Sequence, residues 1–141
     1  MTSQNSTIIL SFDDKPKKWG LVKSLCKISL NEWYSGMHWT ARKKIKDTFE
    51  RDILSQIASQ QEDYETLQNM IQKGGLRASY VFYFKTRPLD CSNCVAMVKI
   101  IEDVLLKGDD GYKIVSSIEI ASYKAIKKLD KNQVEIFFDY D

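Results

Sequence analysis

Between Arg87 and Val115 the chain reads RPLDCSNCVAMVKIIEDVLLKGDDGYKIV, an apolar run punctuated by Asp90, Lys99, Asp103, Asp109 and Asp110. Carboxylates are the natural ligands of hard divalent cations, and Mg²⁺ takes only one or two of them beside water and substrate phosphate. A lysine near such a set can hold a phosphate oxygen or the attacking water. Acids with one lysine therefore suit metal-assisted phosphodiester hydrolysis, in which the ion generates hydroxide and offsets charge in the transition state. Lys99 and Asp103 are four residues apart and share a face of any helix that carries both. The alternative for these two is an exposed ion pair, contributing roughly a few tenths of a kcal/mol.

A second stretch, SLNEWYSGMHWTARKKIKD, joins rings and cations. Trp39 or Tyr34 can stack on an unpaired base, and His38, Arg42, Lys43 and Lys46 can meet phosphates, with Asn31 at the head of the same loop. The competing reading is that large rings such as Trp33 and Trp39 bury in a core or interface, and that the basic run is a solvated helix face.

Three cysteines, Cys26, Cys91 and Cys94, make an odd count and no disulfide framework. Cys91 and Cys94 have knuckle spacing, and a zinc site would need Cys26 and the single histidine, His38, to complete it. A reduced pair packed in the core is the preferred reading. With one histidine and no nucleophile elbow, Ser-His-Asp chemistry finds no support. GDDG is too short and too acidic to act as a phosphate-cradling glycine loop.

The elements that must position these residues follow from periodicity. Ser6 to Phe12 and KISL (Lys27 to Leu30) read as short strands, separated by a loop with Pro16 and Gly20. Ala41, Ile45, Phe49, Ile53, Leu54 and Ile57 recur at helical spacing in a long amphipathic helix from Trp39 to Gln60. A shorter helix spans Asp63 to Lys73 and stops at Gly74-Gly75. Leu76 to Lys85 reads as a central strand ended by Pro88. Ser92 or Asp90 caps a helix that runs through Leu106 and stops at Gly108. Asp109-Asp110-Gly111 turns into a strand from Tyr112 to Ile126, and after a polar turn Gln133 to Tyr140 pairs back as the last strand. The class is α+β with a mixed or antiparallel sheet, in one domain spanning residues 1–141. The helix from Ser92 is apolar on nearly every side and so buried, with one polar line through Lys99 to Glu102 and Asp103. Acids from its two ends are expected to meet in one pocket around a cation.

With 141 residues, 43% hydrophobic and 28% charged, the composition is that of an ordinary globular protein, and such a length buries roughly 70% of the unfolded surface. No apolar run approaches a bilayer span and STIIL is too short for a secretory core, so a cytoplasmic location is expected, without membrane association. Net charge is only +2, but basic residues dominate from Lys15 to Lys46 and acids from Asp103 to Asp110. A positive region beside a compact negative one fits a phosphate-tracking surface next to a metal site.

From about Leu30 to the C-terminus, and most sharply from Asp90 to Val115, the chain resembles the RusA-type Holliday junction resolvases. That family has Asp-x-Asp-Asn opening a helix, then a lysine, an aspartate four residues later, and an Asp-Asp pair before the next strand. The matching residues are Asp90-Cys91-Ser92-Asn93, Lys99, Asp103-Val104-Leu105 and Asp109-Asp110. The resemblance implies a dimeric Mg²⁺- or Mn²⁺-dependent endonuclease that cuts branched DNA such as four-way junctions. A dimer would suit the two-fold symmetry of the junction. Asp90, Asp109 and Asp110 are then the metal ligands, Asp103 an additional acid, and Lys99 the phosphate- or water-orienting group. Two departures stand out: Ser92 replaces the second aspartate, and Asn93 to Lys99 is three residues longer than the family spacing. Asp103 or Glu102 is the candidate replacement ligand. If the missing acid leaves the site eroded, the implied function is junction binding without cutting.

Overall fold

Strict alternation builds the sheet. In the computed structural model, which describes residues 4–35, 37–106, 114–127 and 129–140, every second residue of β2 (Leu76–Phe84) is buried and the intervening ones are half-buried. Side chains two apart on a strand share a face, so Tyr80, Phe82 and Phe84 present one aromatic row to the core. β1 (Asn5–Phe12) adds Ile8, Leu10 and Phe12, and β4 (Asn132–Tyr140) adds Val134, Ile136 and Phe138 to that face. Phe12 meets Phe82 and Phe84 edge-on, at 6.1 and 5.6 Å between centroids, a favoured ring geometry.

The strand order is β1-β4-β2-β3. β4 runs antiparallel to both β1 and β2, whereas β3 (Val115–Lys124) lies parallel to β2 on the far edge. The expected α+β class with a mixed sheet is therefore what the chain adopts. Parallel neighbours need a long crossover, and α4 (Cys91–Leu105) supplies it between β2 and β3. The last strand does not pair back on its sequence neighbour. It inserts between β1 and β2, because its alternating apolar face is needed at the centre of the sheet.

The helices are amphipathic in the expected manner. α2 (Trp39–Ile57) buries Ile45, Phe49, Ile53 and Ile57, though Leu54 stays exposed, and a 3₁₀ turn at Ala58–Gln60 joins it to α3 (Gln61–Ile71). Gly74 and Gly75 follow at φ 70° and 67°, left-handed values that glycine adopts without a Cβ penalty. Gln56 and Gln60 turn back to β1, each pairing with both backbone groups of one residue, Ser11 and Ile9 respectively, at 2.7–2.9 Å. These bonds occupy the free edge of β1 and shield it from pairing with another strand.

One expected strand is absent. Lys27, Ile28 and Ser29 are irregular, and Leu30–Ser35 forms a short helix, α1. The reason is a capping box: Ser29 Oγ accepts from Glu32 N–H at 3.1 Å and Glu32 Oε1 accepts from Ser29 N–H at 3.2 Å. Among the described residues, no helix is long and apolar enough to cross a membrane.

Candidate nucleic-acid groove

α4 is buried through Cys94, Ala96, Met97, Val98, Ile100, Ile101 and Leu105, packed against α1, α2 and β3. Its exposed line carries Lys99 and Asp103, as helical spacing requires. Asp103, with Ile100 and Val104, forms one wall of an open groove of about 820 Å³ whose opposite wall is α1 and α2. Trp33, Tyr34, Trp39, Arg42, Lys43, Lys46, Asp47, Glu50, Ile100, Asp103 and Val104 line it.

The cationic wall is a helical stripe. Trp39, Arg42, Lys43, Lys46 and Glu50 fall at i, i+3, i+4, i+7 and i+11, which keeps them on one side of α2. His38 caps the helix by accepting from Thr40 N–H at 3.3 Å, and its Nδ1 also meets Thr40 Oγ1 at 2.9 Å. Lys44 faces elsewhere and donates to the Gly20 carbonyl at 3.1 Å. Across the groove Lys46 Nζ lies 3.7 Å from Asp103 Oδ2, with both side chains about half exposed. Such a pair contributes about 0–1 kcal/mol and can be exchanged for a phosphate at little cost. Arg42 is half-buried, and its Nε is a buried donor without an acceptor in the protein. A buried unpaired donor costs about 1–3 kcal/mol.

The aromatic residues divide. Trp33 is 6% exposed and anchors α1 in the core, whereas Trp39 is 65% and Tyr34 51% exposed. Lys99 Nζ sits 3.3 Å from Tyr34 Oη and 5.7 Å from the ring centroid, so α1 and α4 meet at a cation and a ring. Asn31 lies outside this ring of residues; it is exposed on α1 and its Oδ1 accepts from Ser35 Oγ at 2.6 Å.

On the other side of the same polar line, a smaller recess of about 500 Å³ lies between α4 and β3, lined by Lys99, Glu102, Asp103, Ile118 and Ile120 among others. Glu102 is pushed above the usual carboxylate range, first by burial and then by the charge of Asp103. Burial, with a smaller contribution from Glu102, likewise raises the Tyr80 hydroxyl, which is enclosed without a hydrogen-bond partner. Sequence reasoning missed the Tyr34–Lys99 contact and the Tyr80–Glu102 neighbourhood. Ser29-x-x-Glu32 was the local signal for α1; nothing local announces either contact.

The expected metal centre does not assemble from the described residues. Asp90 is the N-cap of α4, its Oδ1 accepting from Asn93 N–H at 2.9 Å and from Asn93 Nδ2 at 3.1 Å. Asp103 lies thirteen residues further along the helix, about 20 Å at 1.5 Å per residue. The two carboxylates belong to opposite ends of α4 and cannot share an ion within one chain. Asp109 and Asp110 fall outside the described residues. Among those described, no three His, Cys, Asp or Glu side chains gather as a ligand set, and Asp90 stands there without the other two expected ligands.

The zinc alternative fails on the same ground, since Cys26, Cys91, Cys94 and His38 are all described. Cys26 and Cys94 are buried free thiols, pushed up to about 12 chiefly by burial. The core reading of the cysteine pair holds for Cys94 only. Cys91 is exposed and its Sγ donates to the Ile120 carbonyl at 3.3 Å.

No family model, curated protein or solved structure matches the chain.

Proposed function

We propose that this chain is a structure-selective endodeoxyribonuclease of the RusA type, acting in the cytoplasm and holding branched DNA in the groove between α2 and α4. One observation carries the reading. Arg42, Lys43 and Lys46 from the first half of the chain line one groove with Asp103 from the second half, and Lys99, on the adjoining line of α4, touches Tyr34 of that groove. Arg42, Lys43 and Lys46 take backbone phosphates on one side. Lys99 takes a phosphate oxygen on the other, near the ring of Tyr34. Asn31 on α1 and His38 at the cap of α2 lie outside the groove lining and have an accessory role.

The proposal includes dependence on Mg²⁺ or Mn²⁺, with Asp109 and Asp110 as ligands, and a homodimer to address both halves of a four-way junction. Ile9, Tyr123 and Phe137, exposed on the sheet, are the residues proposed for that pairing. Separation of Asp90 from Asp103 favours a second reading: a module of the same fold that binds junctions without cutting them.

Nicking of a synthetic four-way junction separates the two. The nuclease reading expects strand cleavage with Mg²⁺ or Mn²⁺ that chelation stops and that Asp110→Asn and Lys99→Ala each abolish. Binding without cleavage under every metal condition supports the second reading. A protein that neither binds nor cuts contradicts both.

A further inference from the structure

We infer that the groove recognises an unpaired nucleotide, its base stacked on Trp39 and its flanking phosphates held by Arg42 and Lys43, so that single-stranded or branch-point DNA is preferred over continuous duplex. This deepens the DNA-binding reading above and rests on it. Trp39 lies in the first turn of α2 with 65% of its surface in solvent, whereas Trp33 on α1 is buried in the core. With Tyr34, Trp39 puts two exposed rings on one groove, and grouped exposed rings rimmed by charge mark an interaction site. The position of Trp39 is fixed by neighbours: the His38 ring lies 5.8 Å away at 35°, and His38 is itself held by Thr40.

Tyr34 supplies a second exposed ring on the same groove, braced by the Lys99 ammonium. The cations stand where a strand stacked on Trp39 would carry its charge. Arg42 and Lys43 follow the indole at i+3 and i+4, about 4.5–6 Å along the axis. Arg42 and Lys43 both line the groove beside the indole.

Bases within a duplex are stacked on each other and turn only their edges outward, so an exposed ring gains nothing from them. An unpaired base has a free π-face of any sequence, and stacking on an aromatic side chain is a sequence-tolerant source of affinity. The groove volume of about 820 Å³ lies within the range of ligand clefts and admits a nucleotide with its neighbouring phosphates.

The test is fluorescence anisotropy in EDTA with a labelled oligothymidylate, a labelled fork and a blunt duplex of equal length. The proteins are the intact chain, Trp39→Ala, Trp39→Phe and Lys43→Gln/Lys46→Gln. Trp39→Ala should weaken oligothymidylate and fork about tenfold or more and leave duplex within about twofold, with Trp39→Phe retaining most of the affinity. Because the ring is exposed, circular dichroism should report an unchanged fold. The lysine pair should weaken all three probes. If Trp39→Ala binds every probe like the intact chain while the lysine variant loses them, the stacking inference is overturned and the groove reading stands. If neither variant loses affinity, both are overturned.

Discussion

Asp90 and Asp103 are the same side chain on the same helix, and their surroundings give them different work. At the N-terminal end of α4, the Asp90 carboxylate is engaged with Asn93 and satisfies helix donors that have no intrahelical acceptor. At the other end, Asp103 faces Lys46 across a groove and raises Glu102 beside it. The lesson is that a carboxylate near a pattern of other carboxylates is not thereby a ligand. What decides is whether its neighbours are helix donors or free cations.

The largest expected effect lies at the groove end. Lys43→Glu/Lys46→Glu should lower DNA affinity at least about tenfold at low salt and reduce the slope of log K against log salt on duplex by about 1.8, at 0.9 per lost phosphate contact. Anisotropy titrations across salt concentrations measure both, and an unchanged slope would put the phosphate contacts elsewhere.

At the capping end, Asp90→Ala should cost about 0.5–2 kcal/mol, near 1, which for a domain of this size lowers the Tm by roughly 2–4 °C per kcal/mol. DNA affinity should stay as it is. A loss of binding without loss of stability would return Asp90 to the site.

Glu102 gives a smaller, signed effect. Its folded-state pKa is raised, so the native state holds this proton more firmly than the unfolded chain. Stability is therefore lost as pH rises from the ordinary carboxylate value of 4.5 through the raised value. Glu102→Gln should melt higher than the intact chain at pH 7, and the difference should vanish near pH 4 (about the ordinary Glu value). A constant difference at both pH values would mean that packing rather than charge distinguishes the variant.

The smallest change is expected for Asp103→Asn. Removing the half-exposed partner of Lys46 should move stability by no more than about 1 kcal/mol. It should also tighten DNA binding, because one negative charge leaves the groove, even as it removes an acid from the proposed chemistry. Thermal melts and junction titrations on the same preparation check the two directions.

Much of this architecture was readable from local pattern. Alternation in LRASYVFYF and the 3.6-residue rhythm from Ile45 to Ile57 reflect burial of one side of each element, and the elements formed nearly where that rhythm ran. What escaped was non-local or misjudged. The insertion of β4 between β1 and β2 depends on which face completes the centre of the sheet, and no neighbouring residue encodes it. α1 was readable in principle, through Ser29 and Glu32, but the β-prone look of KISL masked it. At the site, the stripe of cations on α2 and the Lys99–Asp103 line were legible as helix faces. Their confrontation across one groove was not, because it depends on how α1 and α2 dock against α4. The convergence of Asp90 with Asp103 failed for a reason arithmetic alone supplies: thirteen residues of helix hold them about 20 Å apart.

Hydrogen exchange of the intact chain with and without a four-way junction bears most directly on the claim that the α2–α4 groove is where DNA sits. Protection should rise in α1, in the first half of α2 and around Lys99–Asp103, while the Asp90 cap and the β1–β4 pair exchange as before. Protection concentrated at Asp90 and the end of β3, with the α2 cations unaffected, would contradict the account.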